Sequence, residues 1–169
     1  MKPTPQFSIN PKWRVGVVTS RFNEEVTGLL QKGALKQLHD MGFRASQVQS
    51  VNVPGAFELP LAAQWLLDNK CDGVIVLGAV IRGETSHYDY VCNAVERGCT
   101  TLQLQTKKPV VFGVLTTENE EQAFNRAGGS AGHKGVEAAQ VLVEMLNLKK
   151  AIQSPNKPPK KESKRGRRK

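Results

Sequence analysis

Apolar and polar positions follow two rhythms along this chain, short unbroken apolar runs and longer stretches with apolar residues three and four apart. The first run, WRVGVVT at residues 13 to 19, is short and β-branched, as a buried strand is. Behind it Val26, Leu29, Leu30, Ala34, Leu38 and Met41 recur at helical spacing over residues 24 to 41, and Gly42 supplies a stop. VQSVNV at 48 to 53 reads as a second strand, ended by Pro54-Gly55. Phe57 to Leu67 reads as a helix, which tolerates Pro60 because that residue falls in its first turn. GVIVLGAVI at 73 to 81 is apolar throughout, the mark of a strand covered on both faces.

The second half repeats the alternation. Residues 85 to 105 predict a helix with Tyr90, Val91, Ala94, Val95 and Leu102 toward the core, its second half weakened by Gly98. PVVFGVLT predicts a fourth strand. Thr117-Glu118-Asn119-Glu120 has the T-x-x-E form of a capping box, opening a short helix that Gly128-Gly129 must break or kink. A last helix, roughly Gly132 to Leu148, carries Val136, Ala139, Leu142, Val143 and Leu146 on one side. Strands alternating with helices imply right-handed crossovers and a parallel sheet with helices on both faces. The predicted fold is α/β, a flavodoxin-like three-layer α/β/α sandwich with a mainly parallel sheet of about four strands. It spans residues 13 to 152, between an N-terminal arm (1 to 12) and a basic tail (153 to 169).

Composition narrows this further. A chain of 169 residues and 18.6 kDa suits one domain and excludes two. The net charge of +9 suggests nucleic acid until it is located: QSPNKPPKKESKRGRRK holds eight Lys/Arg and one Glu, leaving +2 for residues 1 to 152. Pro and Lys/Arg content predicts a disordered tail, either merely solvated or an electrostatic arm for nucleic acid or an acidic partner. Cys71, Cys92 and Cys99 are an odd set without CxxC spacing, which argues against a disulfide framework and a zinc site. No apolar run approaches the ~18 residues of a membrane span, and MKPTPQFSINPKW has no signal-peptide core, so a cytoplasmic chain is the expectation.

Sheets of this kind bind ligands beyond the carboxyl ends of their strands. Four segments fall there: Ser20 to Asn23, Pro54 to Glu58, Arg82 to His87 and the turn after Val114. Phe22 is either a hydrophobic staple for the next helix or a stacking face for a planar heterocycle. Its loop lacks the Gly/Ser/Thr-rich cradle of a flavin-phosphate site. Pro54 to Glu58 is either a plain strand-to-helix turn, with Glu58 favouring the helix dipole, or a source of free backbone groups for a polyhydroxy chain. Gly83, Thr85 and Ser86 at a helix start make an anion site from N–H groups and hydroxyls, with His87 placed beside it to move protons. His39, on an exposed helix, and His133, in a Gly-rich turn, have weaker settings for that role. Arg126 and Lys134 bracket the turn 127 to 133, either as solvated surface or as a bidentate phosphate ligand and its point-charge partner.

Taken in order, TSRFN, VPGAFELP, LGAVIRGETSHYDYVCN, PVVFGVLTTEN and NRAGGSAGHKG resemble the 6,7-dimethyl-8-ribityllumazine synthase family over roughly residues 13 to 150. The resemblance implies a flavodoxin-like fold, no cofactor, no metal, and a homo-oligomer: a pentamer, in some members closed into an icosahedral shell of sixty subunits. It implies two small-molecule substrates. Phe22 would stack on the pyrimidine of 5-amino-6-(D-ribitylamino)uracil with Asn23 beside it; Ala56, Phe57 and Glu58 would line the ribityl chain; the backbone of Ala79, Val80 and Ile81 would bond the pyrimidine edge. Gly83, Glu84, Thr85 and Arg126 would hold the phosphate of 3,4-dihydroxy-2-butanone 4-phosphate, and His87 would transfer protons. Phe112, Arg126 and Lys134 would reach the site from a neighbouring subunit, Phe112 and Lys134 on the side of the ribitylaminouracil. His133 departs from the family pattern, where Asn is common, and the tail lies outside it. A flavodoxin-like riboflavin synthase, and a non-catalytic flavin-binding or shell protein working through its tail, are the competing readings.

Overall fold

The computed structural model describes residues 8–153. The arm before residue 8 and the basic tail after 153 lie outside the described residues. Four parallel strands form the sheet: β1 (Val15–Ser20), β2 (Val48–Val53), β3 (Gly73–Ile81) and β4 (Val110–Thr117), in the order β2-β1-β3-β4. They alternate with α1 (Glu24–Asp40), α2 (Leu59–Asp68) and α3 (His87–Thr106); α4 (Glu120–Arg126), a small antiparallel pair β5 (Ala127–Gly129) and β6 (Gly132–His133), and α5 (Lys134–Gln153) follow within the described residues. This is the expected flavodoxin-like sandwich.

Strand composition follows position in the sheet. All six β1 residues are buried, as a central strand requires, whereas on β2, at the edge, only Val53 is fully buried. Alternate residues of β3 serve two cores. Ile75, Leu77 and Ala79 pack with Leu30, Ala34, Leu142 and Val143 from α1 and α5; Val74 and Val76 pack with Leu66, Val95 and Cys99 from α2 and α3. Burial pushes the Cys99 thiol up to about 12, so it is a neutral core residue at ordinary pH.

The helices depart from the periodicity at identifiable points. Gly98 does not weaken α3, because a Cβ there would lie 2.7 Å from the rigid Pro60 ring; its absence is what lets α2 and α3 approach. Tyr90 was expected in the core and is instead 72% exposed, while Val95, Cys99 and Leu102 hold the inner face. Leu29 is likewise exposed and Val136 only half-buried. Thr117 is no N-cap: it is the buried last residue of β4, and α4 is capped by Asn119, whose side-chain oxygen accepts the Gln122 N–H at 2.9 Å. The 127 to 133 turn is the β5–β6 pair, and α5 continues past Leu148 to Gln153. No helix among the described residues is long and apolar enough to cross a membrane.

Candidate active site

Strand order reverses between β1 and β3, so their carboxyl ends open a crevice at the switch point of the sheet. A pocket of about 350 Å³ lies there, lined by Phe22 from the loop after β1, by Gly55, Ala56 and Phe57 after β2, and by Ala79, Val80 and Ile81 at the end of β3. Gly83, Thr85, His87, Tyr88 and Val91 close its third side. Three of the four segments expected beyond the strand ends therefore meet in one cavity. It is mostly apolar with a few polar groups, the usual make-up of a small-molecule site.

Two phenyl rings face this pocket from solvent, Phe22 at 70% exposure and Phe57 at 64%. Burying a Phe is worth ~1.5–3 kcal/mol, so neither ring is placed for stability of the free chain. Phe22 is aimed by its neighbours. Its N–H donates to the Pro54 carbonyl at 3.1 Å, the Arg21 N–H donates to Val53 at 2.8 Å, and Asn23 adopts a left-handed conformation (φ 59°) at the start of α1. The Asn23 amide donates to the Ala79 carbonyl at 2.8 Å, tying this loop to β3. Asn23 itself does not line the pocket; it positions the residue that does.

Glu58 does not line the pocket either. Its carboxylate accepts the Gly55 N–H at 2.8 Å and closes the short 3-10 turn Ala56–Glu58 that leads into α2. Glu84 is exposed in the turn before α3. In that turn no backbone carbonyl among the described residues accepts from the N–H of Gly83, Glu84 or Thr85. A Cβ added at Gly83 would meet nothing within 4 Å, so the turn is open to a ligand. His87 is exposed as the first residue of α3, with its N–H 3.4 Å from Thr85 Oγ1. These free donors at the positive end of α3 suit a phosphate, and the imidazole stands next to them.

Phe112, Arg126 and Lys134 lie elsewhere. They line a groove of about 670 Å³ along the outer edge of β4, between α3 and α5, with Val141 and Met145. No residue lines both the pocket and this groove. Arg126 has no carboxylate partner among the described residues, whereas Lys134 pairs with Glu137. His133 is half-buried in β6, its ring against Gly33 of α1, which makes it a packing residue under the Lys134 turn.

The sequence reading missed Tyr88 and Val91 as pocket residues. Both were legible in principle: Tyr88 follows His87 at the same strand end, and Val91 is one helical turn on. Burial raises the Tyr88 phenol above its usual range, with the Cys92 thiol beside it also raised by burial. Among the described residues no group of three or more His, Cys, Asp or Glu is placed to hold a metal ion.

Comparison with known proteins converges on one family. The family model described as 6,7-dimethyl-8-ribityllumazine synthase matches residues 12–150. A 6,7-dimethyl-8-ribityllumazine synthase of Bdellovibrio bacteriovorus is 56% identical over 141 residues, covering 83% of this chain and 78% of its own. One of Cytophaga hutchinsonii is 52% identical over 132 residues, covering 78% of this chain and 83% of its own.

Proposed function

Because the chain belongs to the 6,7-dimethyl-8-ribityllumazine synthase family, we propose that the pocket at the ends of β1, β2 and β3 is where its reaction takes place. That reaction condenses 5-amino-6-(D-ribitylamino)uracil with 3,4-dihydroxy-2-butanone 4-phosphate to 6,7-dimethyl-8-ribityllumazine, the penultimate step of riboflavin biosynthesis. The observation that carries the assignment of the site is the convergence of Phe22, Phe57 and His87 on one cavity.

In this reading Phe22 stacks on the pyrimidine, Ala56 and Phe57 flank the ribityl chain, and the strand end Ala79 to Ile81 meets the pyrimidine edge. Glu58 and Asn23 contribute by shaping the loops. The phosphate lies on the open turn of Gly83, Glu84 and Thr85. The 5-amino nitrogen attacks the ketone and water leaves to form an imine; phosphate is then eliminated. The ribitylamino nitrogen closes the second ring with loss of a second water. No electrons are exchanged with an outside reagent. Positioning the two substrates together replaces a slow bimolecular encounter, and His87 shuttles protons during elimination and closure.

Phe112, Arg126 and Lys134 complete the site from a second copy of the chain. Support comes from their position on the groove along the free outer edge of β4, away from the pocket, and from the exposed apolar surface that Val141 and Met145 form there with Phe112. A homo-oligomer, with the pentamer as its unit and a shell of sixty as the larger form, would bring groove and pocket together. Free buried thiols at Cys71 and Cys99 suit a reducing compartment, in keeping with a cytoplasmic enzyme.

The test is to incubate the pure protein with both substrates and follow inorganic phosphate and the lumazine chromophore. Phosphate and lumazine appearing in equal amounts, and only when both substrates are present, is the expected result. Conversion of lumazine alone to riboflavin without phosphate would favour the riboflavin synthase reading instead.

A further inference from the structure

Arg82 is the first residue after β3, and it lines neither the pocket nor the groove. Its N–H donates to the Thr117 carbonyl at 2.9 Å. Its guanidinium donates from Nε to Glu118 Oε2 at 2.7 Å, and from Nη1 and Nη2 to the two carboxylate oxygens of Asp89 at 3.3 and 3.1 Å. The guanidinium carbon stands 4.0 Å from the centroid of the Tyr88 ring. One side chain therefore holds the first turn of α3 and the turn between β4 and α4 against the end of β3.

Stability is a weak reason for this arrangement. The side chain is 37% exposed, and exposed ion pairs contribute ~0–1 kcal/mol. Geometry is a better one, since a planar fork bonded to both oxygens of a carboxylate fixes orientation as well as distance. The residues it grips are the two that follow His87. Within the turn itself the Asp89 N–H donates to the Ser86 carbonyl at 3.0 Å, but Ser86 makes no side-chain cap hydrogen bond and the His87 N–H has only the long contact to Thr85.

We propose that Arg82 is a positioning residue for the condensation: by its bidentate pair with Asp89 and its contact over the Tyr88 ring it fixes the first turn of α3, and so aims the His87 imidazole into the pocket. Through Glu118 the same guanidinium pins the turn that leads into α4, the helix that ends at Arg126. This rests on the reading of His87 as the proton-transfer residue.

The experiment is a double-mutant cycle on the full-length protein, with kcat and KM measured for wild type, Arg82→Gln, His87→Ala and the double variant. Arg82→Gln should lower kcat about tenfold or more while leaving KM for the ribitylaminouracil within about twofold, because the stacking face is untouched. In the His87→Ala background the same change should alter kcat by less than about twofold, because no imidazole remains to be aimed. Arg82→Lys keeps the charge without the fork and should restore only part of kcat. An equal loss of kcat in both backgrounds, or full turnover in Arg82→Gln when His87→Ala is impaired, overturns the proposal. Full turnover in His87→Ala overturns the assignment of His87, and the proposal falls with it. Should Arg82→Gln fail to fold, Asp89→Asn removes the same pair from the other side and carries the same cycle, with the same outcomes decisive.

Discussion

At the scale of single residues, the pocket has side chains that face its cavity and side chains whose hydrogen bonds hold the loops around it. Phe22 and Phe57 are left bare, and Asn23, Glu58 and Arg82 spend their polar groups on the loops that hold them. This division was only half legible in the sequence. The residue types at the strand ends pointed to stacking, an anion and a proton carrier, but which member of Phe22-Asn23 or of Phe57-Glu58 would turn inward depends on a left-handed residue and a 3-10 turn that periodicity does not register. The assignments make a split prediction. Phe22→Ala should raise KM for the ribitylaminouracil and spare the butanone phosphate, whereas Arg126→Ala should do the reverse; loss of a charge-assisted phosphate contact is worth ~1.5–3 kcal/mol, or roughly tenfold to over a hundredfold in KM. Steady-state kinetics with each substrate varied in turn checks both, and a rise in KM for the same substrate in both variants would show the pocket has been divided wrongly.

At the scale of elements, strands read best: the bounds of β2 and β3 coincide with the segments predicted at 48 to 53 and 73 to 81, in β3 because burial on both faces leaves an unbroken apolar run and in β2 because Pro54-Gly55 ends it. Helix faces read less well. Tyr90 and Leu29 fit the apolar spacing yet face outward, because spacing counts apolar residues without knowing which surface has a partner. The start of α4 was misplaced because Thr117 and Asn119 are both competent caps, and the choice was made by β4 running on to Thr117. The β5–β6 pair, with three and two residues, is too short to carry any period. Close helix packing is the feature with the sharpest consequence. A Cβ on Gly135 would collide with the Leu30 carbonyl oxygen, a backbone atom that cannot swing aside. Gly135→Ala should therefore destabilise the fold by ~1–3 kcal/mol or more by forcing α1 and α5 apart. Denaturant unfolding measures it; a midpoint equal to that of wild type would mean the two helices are not held at this distance.

At the scale of the whole molecule, the described chain is close to neutral in charge and the excess lies in residues 153 to 169. No residue assigned to the site falls in that stretch, so its deletion should leave kcat and the melting temperature unchanged. Retention on a polyanion should fall sharply and, for the full-length protein, should weaken steeply with salt, since such affinity comes from phosphate neutralisation by Lys/Arg and is multiplied on an assembly. Full-length protein with no salt-dependent retention would leave the tail as a solvated extension. The proposed site also calls for assembly, because Arg126 and Phe112, which that reading assigns to it, line a different surface from His87.

A site built from two chains has a direct test. His87→Ala and Arg126→Ala subunits should each be impaired alone; refolded together from denaturant, they should form interfaces at which the intact His87 of one chain meets the intact Arg126 of the next. Turnover of the co-refolded mixture should exceed that of the same two variants mixed without subunit exchange. Confirmed co-assembly with no recovery of phosphate release would contradict a shared site and place the complete catalytic machinery within a single chain.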